Sequence, residues 1–473
     1  MPRFDSVFAL FLPLLAGLAV IACVRRFCPR AIKPCALVCA AAFFALGFLL
    51  LLETGNGLVP KAVIEMPMGM TLLLQADYPA MYFIFLTGLL VLPVFHSFSI
   101  PVEFLRYSTG FFVPALVLLG SAAGFAMSTN LMWMFVFWEI ASVCAWLLKI
   151  FADRTSTPIA ADREFISGEA GSLLVLLGII GVYAAKGTPD LALLKYAELP
   201  RLPVLLMVAG AIIKTGIAPF AGQFSDSVKT GYCAAALTHG ALLVNFGGLF
   251  LLRALVGLDC WNPEWNVYAA LLLISGAVMS AGAALSEFDS RKIIALSMSA
   301  NAGLAVFGLC LGSEGSASAA MELVFMAAAA HTGLFLAVGA AAARTGGYDI
   351  RETPSAFHAM PYTALACGLC ALGVAGVPPA AGFTAKFALL KSVILFSPWA
   401  AVLFMLALVL NGLAMARLFY SVFFTGPVRL PAVEAQPCVF SGAVIAGATA
   451  LVFGVLAYYP AEFIRVMVSV VTG

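Results

Sequence analysis

The sequence predicts an all-α integral membrane protein of about fourteen helical spans, on two observations. Of its 473 residues, 63% are hydrophobic and only 10% are charged, against roughly 25% charged in a soluble domain. Apolar stretches of about 20 residues, enough to cross a bilayer as a helix, follow one another along almost the whole chain with short polar gaps. The formal net charge is +2 and the Lys and Arg residues are scattered, without the basic run that tracks a phosphate backbone. A nucleic-acid partner is therefore not expected, and the lipid bilayer is.

Taken in order, the spans fall near 7–24, 33–52, 78–96, 110–127, 131–150, 166–185 and 203–222. They continue near 233–256, 266–286, 293–312, 318–343, 361–397, 399–424 and 439–460. The first stretch is long, lacks a small-residue cleavage site, and is followed by Arg25, Arg26, Arg30 and Lys33. It is expected to remain as a span and not as a removed signal. Segment 361–397 exceeds one straight span, and Pro378-Pro379 with Gly382 in its middle predict two half-helices. Ala218-Pro219-Phe220-Ala221-Gly222 predicts a matching break in the seventh span.

Two broken helices, one in each half of the chain and each near a lysine, point to a transporter built from structural repeats. The expected organisation is a three-span region (1–108), a first five-span repeat (109–256), a second (257–424) and a C-terminal span (425–473). An odd number of spans per repeat makes the two repeats inverted.

With the N-terminus outside, fifteen of the 25 Lys and Arg residues face inward, among them Arg25, Arg106, Lys149, Arg154 and Arg429. Seven face outward: Arg3, Lys61, Lys186, Lys195, Arg201, Arg253 and Arg465. Lys214, Lys386 and Lys391 lie at the breaks. This bias predicts both termini outside, in a cell inner (plasma) membrane.

An ionisable group at mid-membrane costs about 2.5–3.5 kcal/mol even on lenient scales, so each must be paired, hydrated or functional. Glu139 stands alone in the fifth span within Phe137-Trp138-Glu139-Ile140, and Lys214 in the seventh, five residues before Pro219. His239, His331 and Lys386 occupy the eighth, eleventh and twelfth spans. These residue types suit proton relay. A carboxylate at about 4 Å stabilises an ammonium by about 4 kcal/mol at an effective dielectric near 20, or roughly three pKa units. Moving Glu139 relative to Lys214 would switch that lysine between holding and releasing a proton, with histidine as intermediate carrier. Against this stands a static ion pair that fixes helix packing, but buried pairs are poor stabilisers. Lys391, Glu169, Glu322, Lys229 and Arg253 lie nearer span ends and read as structural. Cys367 and Cys370 form a CxxC inside an apolar helix with no second pair, and read as core residues and not a metal site. No cysteine quartet, dinucleotide glycine loop or haem motif is visible, so no cofactor or metal is expected and electron transfer belongs on other chains.

At these positions the chain resembles the antiporter-like membrane subunits of respiratory complex I, membrane-bound hydrogenases and Mrp-type cation/proton antiporters. The resemblance covers most of the chain. It rests on Ser128–Lys149, STNLMWMFVFWEIASVCAWLLK, and on Lys214 followed by Pro219, Asp226 and His239. Asp289-Ser290-Arg291-Lys292 and the run Gly376-Val377-Pro378-Pro379, Gly382-Phe383 and Lys386 add to it. Departures are Lys229, Gly231 and Cys233 where members carry a glutamate and two prolines, His331 where many carry a central lysine, and Ala327 where they carry histidine. The resemblance implies a proton-translocating subunit of a complex I-like NADH:quinone oxidoreductase or membrane-bound hydrogenase, working beside other membrane subunits. Glu139 would gate Lys214, His239 and His331 would relay, and Lys386 would exchange with the outer side. The alternatives are a subunit of a Mrp-type antiporter exchanging Na+ or another cation for protons, and a non-conducting structural subunit.

Overall fold

The structure is a computed structural model describing residues 4–65, 71–99, 108–151, 158–229, 231–353, 355–426 and 434–472. Among the described residues, twelve helices are long and apolar enough to cross a bilayer. The two other expected spans are the broken ones, and each is two shorter helices. Arg3, Arg106, Arg154 and Arg429, used for the orientation, lie outside the described residues.

The chain runs through α1 (Leu12–Phe27), α2 (Ile32–Gly55), α3 (Tyr78–Ser97), α4 (Thr109–Met127), α5 (Leu131–Phe151) and α6 (Pro158–Lys186). Two half-helices come next, α7 (Arg201–Lys214) and α8 (Ala221–Ser227), and then α9 (Tyr232–Val256). The second half runs through α10 (Pro263–Ser286), α11 (Ser290–Cys310), α12 (Glu314–Thr345) and the half-helices α13 (Pro361–Ala375) and α14 (Gly382–Phe396). It ends with α15 (Pro398–Phe423), α16 (Pro437–Val455) and α17 (Tyr458–Thr472). Side-chain oxygens start several of these helices by accepting otherwise unpaired N–H groups. Asp77 caps Ala80, Asp289 caps Arg291, and Ser313 caps Ser316. The centre is formed by α9, α11 and α12, which are buried almost along their whole length, while α1, α2, α6 and α16 present broad apolar faces outward.

Both breaks close in the same way. After α7, Gly216 takes a φ of +68° and Ile217 N–H donates back to Ile212 O at 3.2 Å. After α13, Gly376 takes +77° and Val377 N–H donates to Leu372 O at 3.1 Å. A left-handed residue that turns the next N–H back onto a carbonyl five residues earlier is an efficient helix stop, and glycine occupies it without strain.

Three features differ from the sequence expectation. The segment between the second and third spans contains an antiparallel hairpin, β1 (Lys61–Glu65) on β2 (Thr71–Gln75), too short to register beside spans of 20 residues. The helix α6 begins eight residues before the expected 166, so residues expected in a loop lie inside a helix. The last expected span stops at Val455, short of the expected 460, and the chain beyond it forms a further helix, α17, with Pro460, Ile464, Met467 and Val468 buried.

Arg253, expected to be structural, is a buried fastener that ties α9 to the start of α3 and the end of α4. Its guanidinium meets Asp77 Oδ1 at 2.6 Å and donates to Ala126 O at 2.8 Å and Ser128 O at 3.2 Å. Arg253→Met strands the Asp77 carboxylate and is expected to cost about 3–5 kcal/mol, read as a lower melting temperature of the detergent-solubilised protein. The double variant R253M/D77N, which keeps the Asp77 cap on α3, is expected to recover most of that loss.

Candidate functional site

The crossing of α6 and α7 builds the first part of the site. Gly171 and Gly210 face each other so closely that a Cβ on Gly171 would stand 2.8 Å from Gly210 O. Small residues let membrane helices approach to backbone contact, and here that approach brings Ser172, the next residue, onto the end of α7. Lys214 is the last residue of α7. Its Nζ donates to Ser172 Oγ and lies 2.6 Å from Glu139 Oε1 on α5. The ammonium also sits 5.2 Å from the centre of the Trp138 ring, itself packed by Phe125, Phe246 and Phe250. A cation at a helix C-terminus meets the negative end of the peptide dipoles, so four features hold the Lys214 charge: the helix end, a carboxylate, a hydroxyl and a π face.

Glu139 is about a quarter exposed while Lys214 is buried. Glu169, read from sequence as structural, shares a cavity with Lys214, and its Oε1 is buried without a hydrogen-bond partner among the described residues. That cavity, about 40 Å³, is lined by Lys149, Glu164, Glu169, Lys214 and Ser142 among others. One water needs roughly 10–15 Å³ of such space.

Sequence reasoning missed a second ion pair here. Lys149 at the end of α5 donates to Glu164 Oε2 on α6, and Glu164 Oε1 lies 3.4 Å from His239 Nε2. His239 is wholly buried, in a stretch of α9 wound as π-helix over Ala236–Leu243; such widened turns recur at functional sites. Ser227 Oγ and Thr238 Oγ1 stand 3.0 Å from its Nε2 and Nδ1, and the Phe224 ring packs edge-on with its centre 4.4 Å from that of the imidazole.

The centre of the molecule carries the next candidate. Gly240, beside His239, packs on Thr332, beside His331, with room for no side chain between them. His331 is buried, with Nδ1 2.7 Å from Ala327 O and Nε2 3.4 Å from Ser297 Oγ. A cavity of about 10 Å³ touches both Gly240 and His331, with Asn301 in its wall. Lys386 does not reach toward a helix end facing solvent. It is buried, and its Nζ folds back across the break to donate to Val374 O at the end of α13. Beyond it, Glu322 on α12 accepts from Thr384 Oγ1 at 2.6 Å. Lys386 also borders an apolar groove of about 950 Å³ between α13, α14 and α15, whose lining offers a proton no further partner.

Thus Glu139 and Lys214 are in direct contact, His239 is joined to their neighbourhood through Glu164, and His331 and Lys386 are buried on α12 and α14. At the ends of these helices, Lys292 pairs with Asp226 at 2.5 Å, tying α11 to the end of α8. Outside the spans, Arg351 clamps Asp349 and holds its carboxyl well below the usual range, at about 2. Asp349 therefore stays ionised over physiological pH. Among the described residues no group of three His, Cys, Asp or Glu side chains is placed to hold a metal.

Comparison with known proteins places this geometry. A family model described as "NADH:quinone oxidoreductase/Mrp antiporter, TM" matches residues 128–411. NADH-quinone oxidoreductase subunit L of Campylobacter jejuni is 31% identical over 319 residues, which cover 64% of this chain and 52% of that one. A Na(+)/H(+) antiporter subunit of Alkalihalophilus pseudofirmus is 25% identical over 356 residues, covering 73% and 70%. The chain spans about half the length of the curated relatives it matches first. In solved structures, a chain of the Mrp complex from Dietzia sp. superposes with a TM-score of 0.88 at 17% identity over 99% of this chain and 97% of that one. A chain of respiratory complex I from Thermus thermophilus does so with 0.81 at 18% identity, over 99% and 100%. With the match covering well over half its residues, this chain belongs to the NADH:quinone oxidoreductase/Mrp antiporter transmembrane family.

Proposed function

We propose that the chain translocates protons as one membrane subunit of a larger complex, and that Lys214 is its switched proton carrier. The observation that carries this reading is the 2.6 Å contact between Lys214 and Glu139 inside the membrane-spanning bundle. Glu139 is the more exposed member of the pair, at 23% against 3%, and a neighbouring subunit is able to reach it. Drawing Glu139 away removes about 4 kcal/mol of support from the ammonium. That exceeds the roughly 2.3 kcal/mol needed to move one charge against 100 mV. The released proton passes by His239 and His331 to Lys386, which exchanges with the outer side.

The parent complex in this reading is a complex I-like NADH:quinone oxidoreductase or a membrane-bound hydrogenase, in the inner membrane with both termini outside. The relatives named as antiporter subunits support a second reading, in which a sodium gradient and not an electron donor drives the same row. The span count supports fourteen crossings, with residues 109–256 and 257–424 as inverted repeats between a 1–108 region and a 425–473 end.

The test uses inside-out vesicles containing the whole complex, energised by NADH in one arm and by an imposed sodium gradient in the other, with proton uptake followed by a pH-sensitive dye. Lys214→Arg keeps the ion pair but, because guanidinium does not release its proton, is expected to lower uptake about a hundredfold, as is Lys214→Ala. Wild-type uptake in an assembled Lys214→Arg complex would leave the pair a structural strut and the chain a scaffold. His331→Ala is expected to lower uptake similarly without changing the amount of assembled complex on a native gel.

A further inference from the structure

Among the described residues no hydrogen bond or ion pair joins Lys214 to His239, yet Glu164 lines the cavity that Lys214 lines and pairs with His239. We infer that Glu164, held by Lys149, is the carboxylate that passes the proton from the Lys214 cavity to His239; the inference rests on the proton-translocation reading above.

Three observations carry it. Glu164 is the one described acid that reaches both neighbourhoods: it lines the cavity shared with Lys214 and Glu169, and its Oε1 is 3.4 Å from His239 Nε2. Its two oxygens are divided between partners, Oε2 to the Lys149 ammonium and Oε1 to the imidazole. A carboxylate used only to neutralise Lys149 has no reason to share itself with a histidine. The third observation is hydrogen-bond bookkeeping around His239. Ser227 Oγ spends its proton on Phe224 O at 2.9 Å, and Thr238 Oγ1 spends its own on Ala234 O at 2.8 Å. Each hydroxyl has one proton to give, so in this arrangement both face the imidazole as acceptors. Each ring nitrogen therefore has an acceptor in place for a proton.

The transfer balances in two steps. The ammonium of Lys214 gives one proton, through the polar cavity, to the Glu164 carboxylate, leaving an amine and a carboxylic acid. The acid then gives that proton to His239 Nε2, leaving imidazolium and a carboxylate that the Lys149 ammonium again neutralises. Lys149 keeps its own proton throughout; its work is to keep the resting Glu164 charged and aimed, and it is a positioning residue. Of the other acids nearby, Glu139 pairs with Lys214 and Glu169 lines the cavity beside it, and among the described residues neither pairs with the imidazole.

The same vesicle assay separates this inference from its parent. Glu164→Gln keeps size and hydrogen-bonding capacity but carries no proton, and uptake is expected to fall about a hundredfold. Glu164→Asp keeps the carboxylate and is expected to restore a large share of it. Equal uptake in the Gln and Asp variants, at any level, overturns the role of Glu164, whereas loss in Lys214→Arg beside it leaves the parent reading standing. Wild-type uptake in Lys214→Arg, or none in the wild type, removes the parent reading itself. If Glu164→Gln does not assemble because Lys149 is left uncompensated, the double variant K149M/E164Q takes its place. Uptake near wild type in that variant overturns the inference, and loss with normal assembly upholds it.

Discussion

A lysine charge held at the end of a half-helix inside the bilayer is the constraint on which the rest of this molecule is arranged. The penalty for such a group is a few kcal/mol on lenient scales, and several local features exist to meet it. The chain stops α7 at Lys214 with a left-handed Gly216, which exposes the carbonyl end of the helix. It packs α6 onto α7 through glycines so that Ser172 arrives, and it backs Glu139 with Trp138 so that a carboxylate and a ring face meet the same ammonium. A continuous helix would have used those carbonyls internally. The break is what makes a polar site possible at that depth.

How much of this was legible in the sequence depended on whether a signal was local. Glu139, Lys214, His239, His331 and Lys386 stand out because each interrupts an apolar run, and the breaks stand out because proline and glycine punctuate them. Lys149 and Glu164 did not, since they fall at the expected edges of the fifth and sixth spans, where charge is unremarkable. Position within an apolar stretch was standing in for depth, and that substitution fails when a helix begins eight residues early, as α6 does. Two opposite charges flanking one short gap were the available signal, because the two antiparallel helices that meet there bring their ends together. Likewise Pro460, Ile464, Met467 and Val468 already carry the spacing of one helical face, but the helix is too short to register as a span. Arg253 was read correctly as structural, although its partner Asp77, 176 residues away, belongs to no local pattern.

The two breaks share their closing geometry and differ in how they treat their lysine. Lys214 precedes its break and meets a carboxylate, while Lys386 lies beyond its break and reaches back to a backbone carbonyl, Val374 O, with no acid in salt-bridge range among the described residues. At Lys214 the charge is neutralised by a partner on another helix, so its support varies as α5 moves against α7. At Lys386 the support comes from the end of α13, part of the same broken span, and it varies only if that break changes shape. The support of the first lysine is therefore set by how α5 sits on α7, and that of the second by the internal packing of its own half. In the proposed relay, a lysine held across two helices at one end and a lysine held within its own broken span at the other give the row a direction.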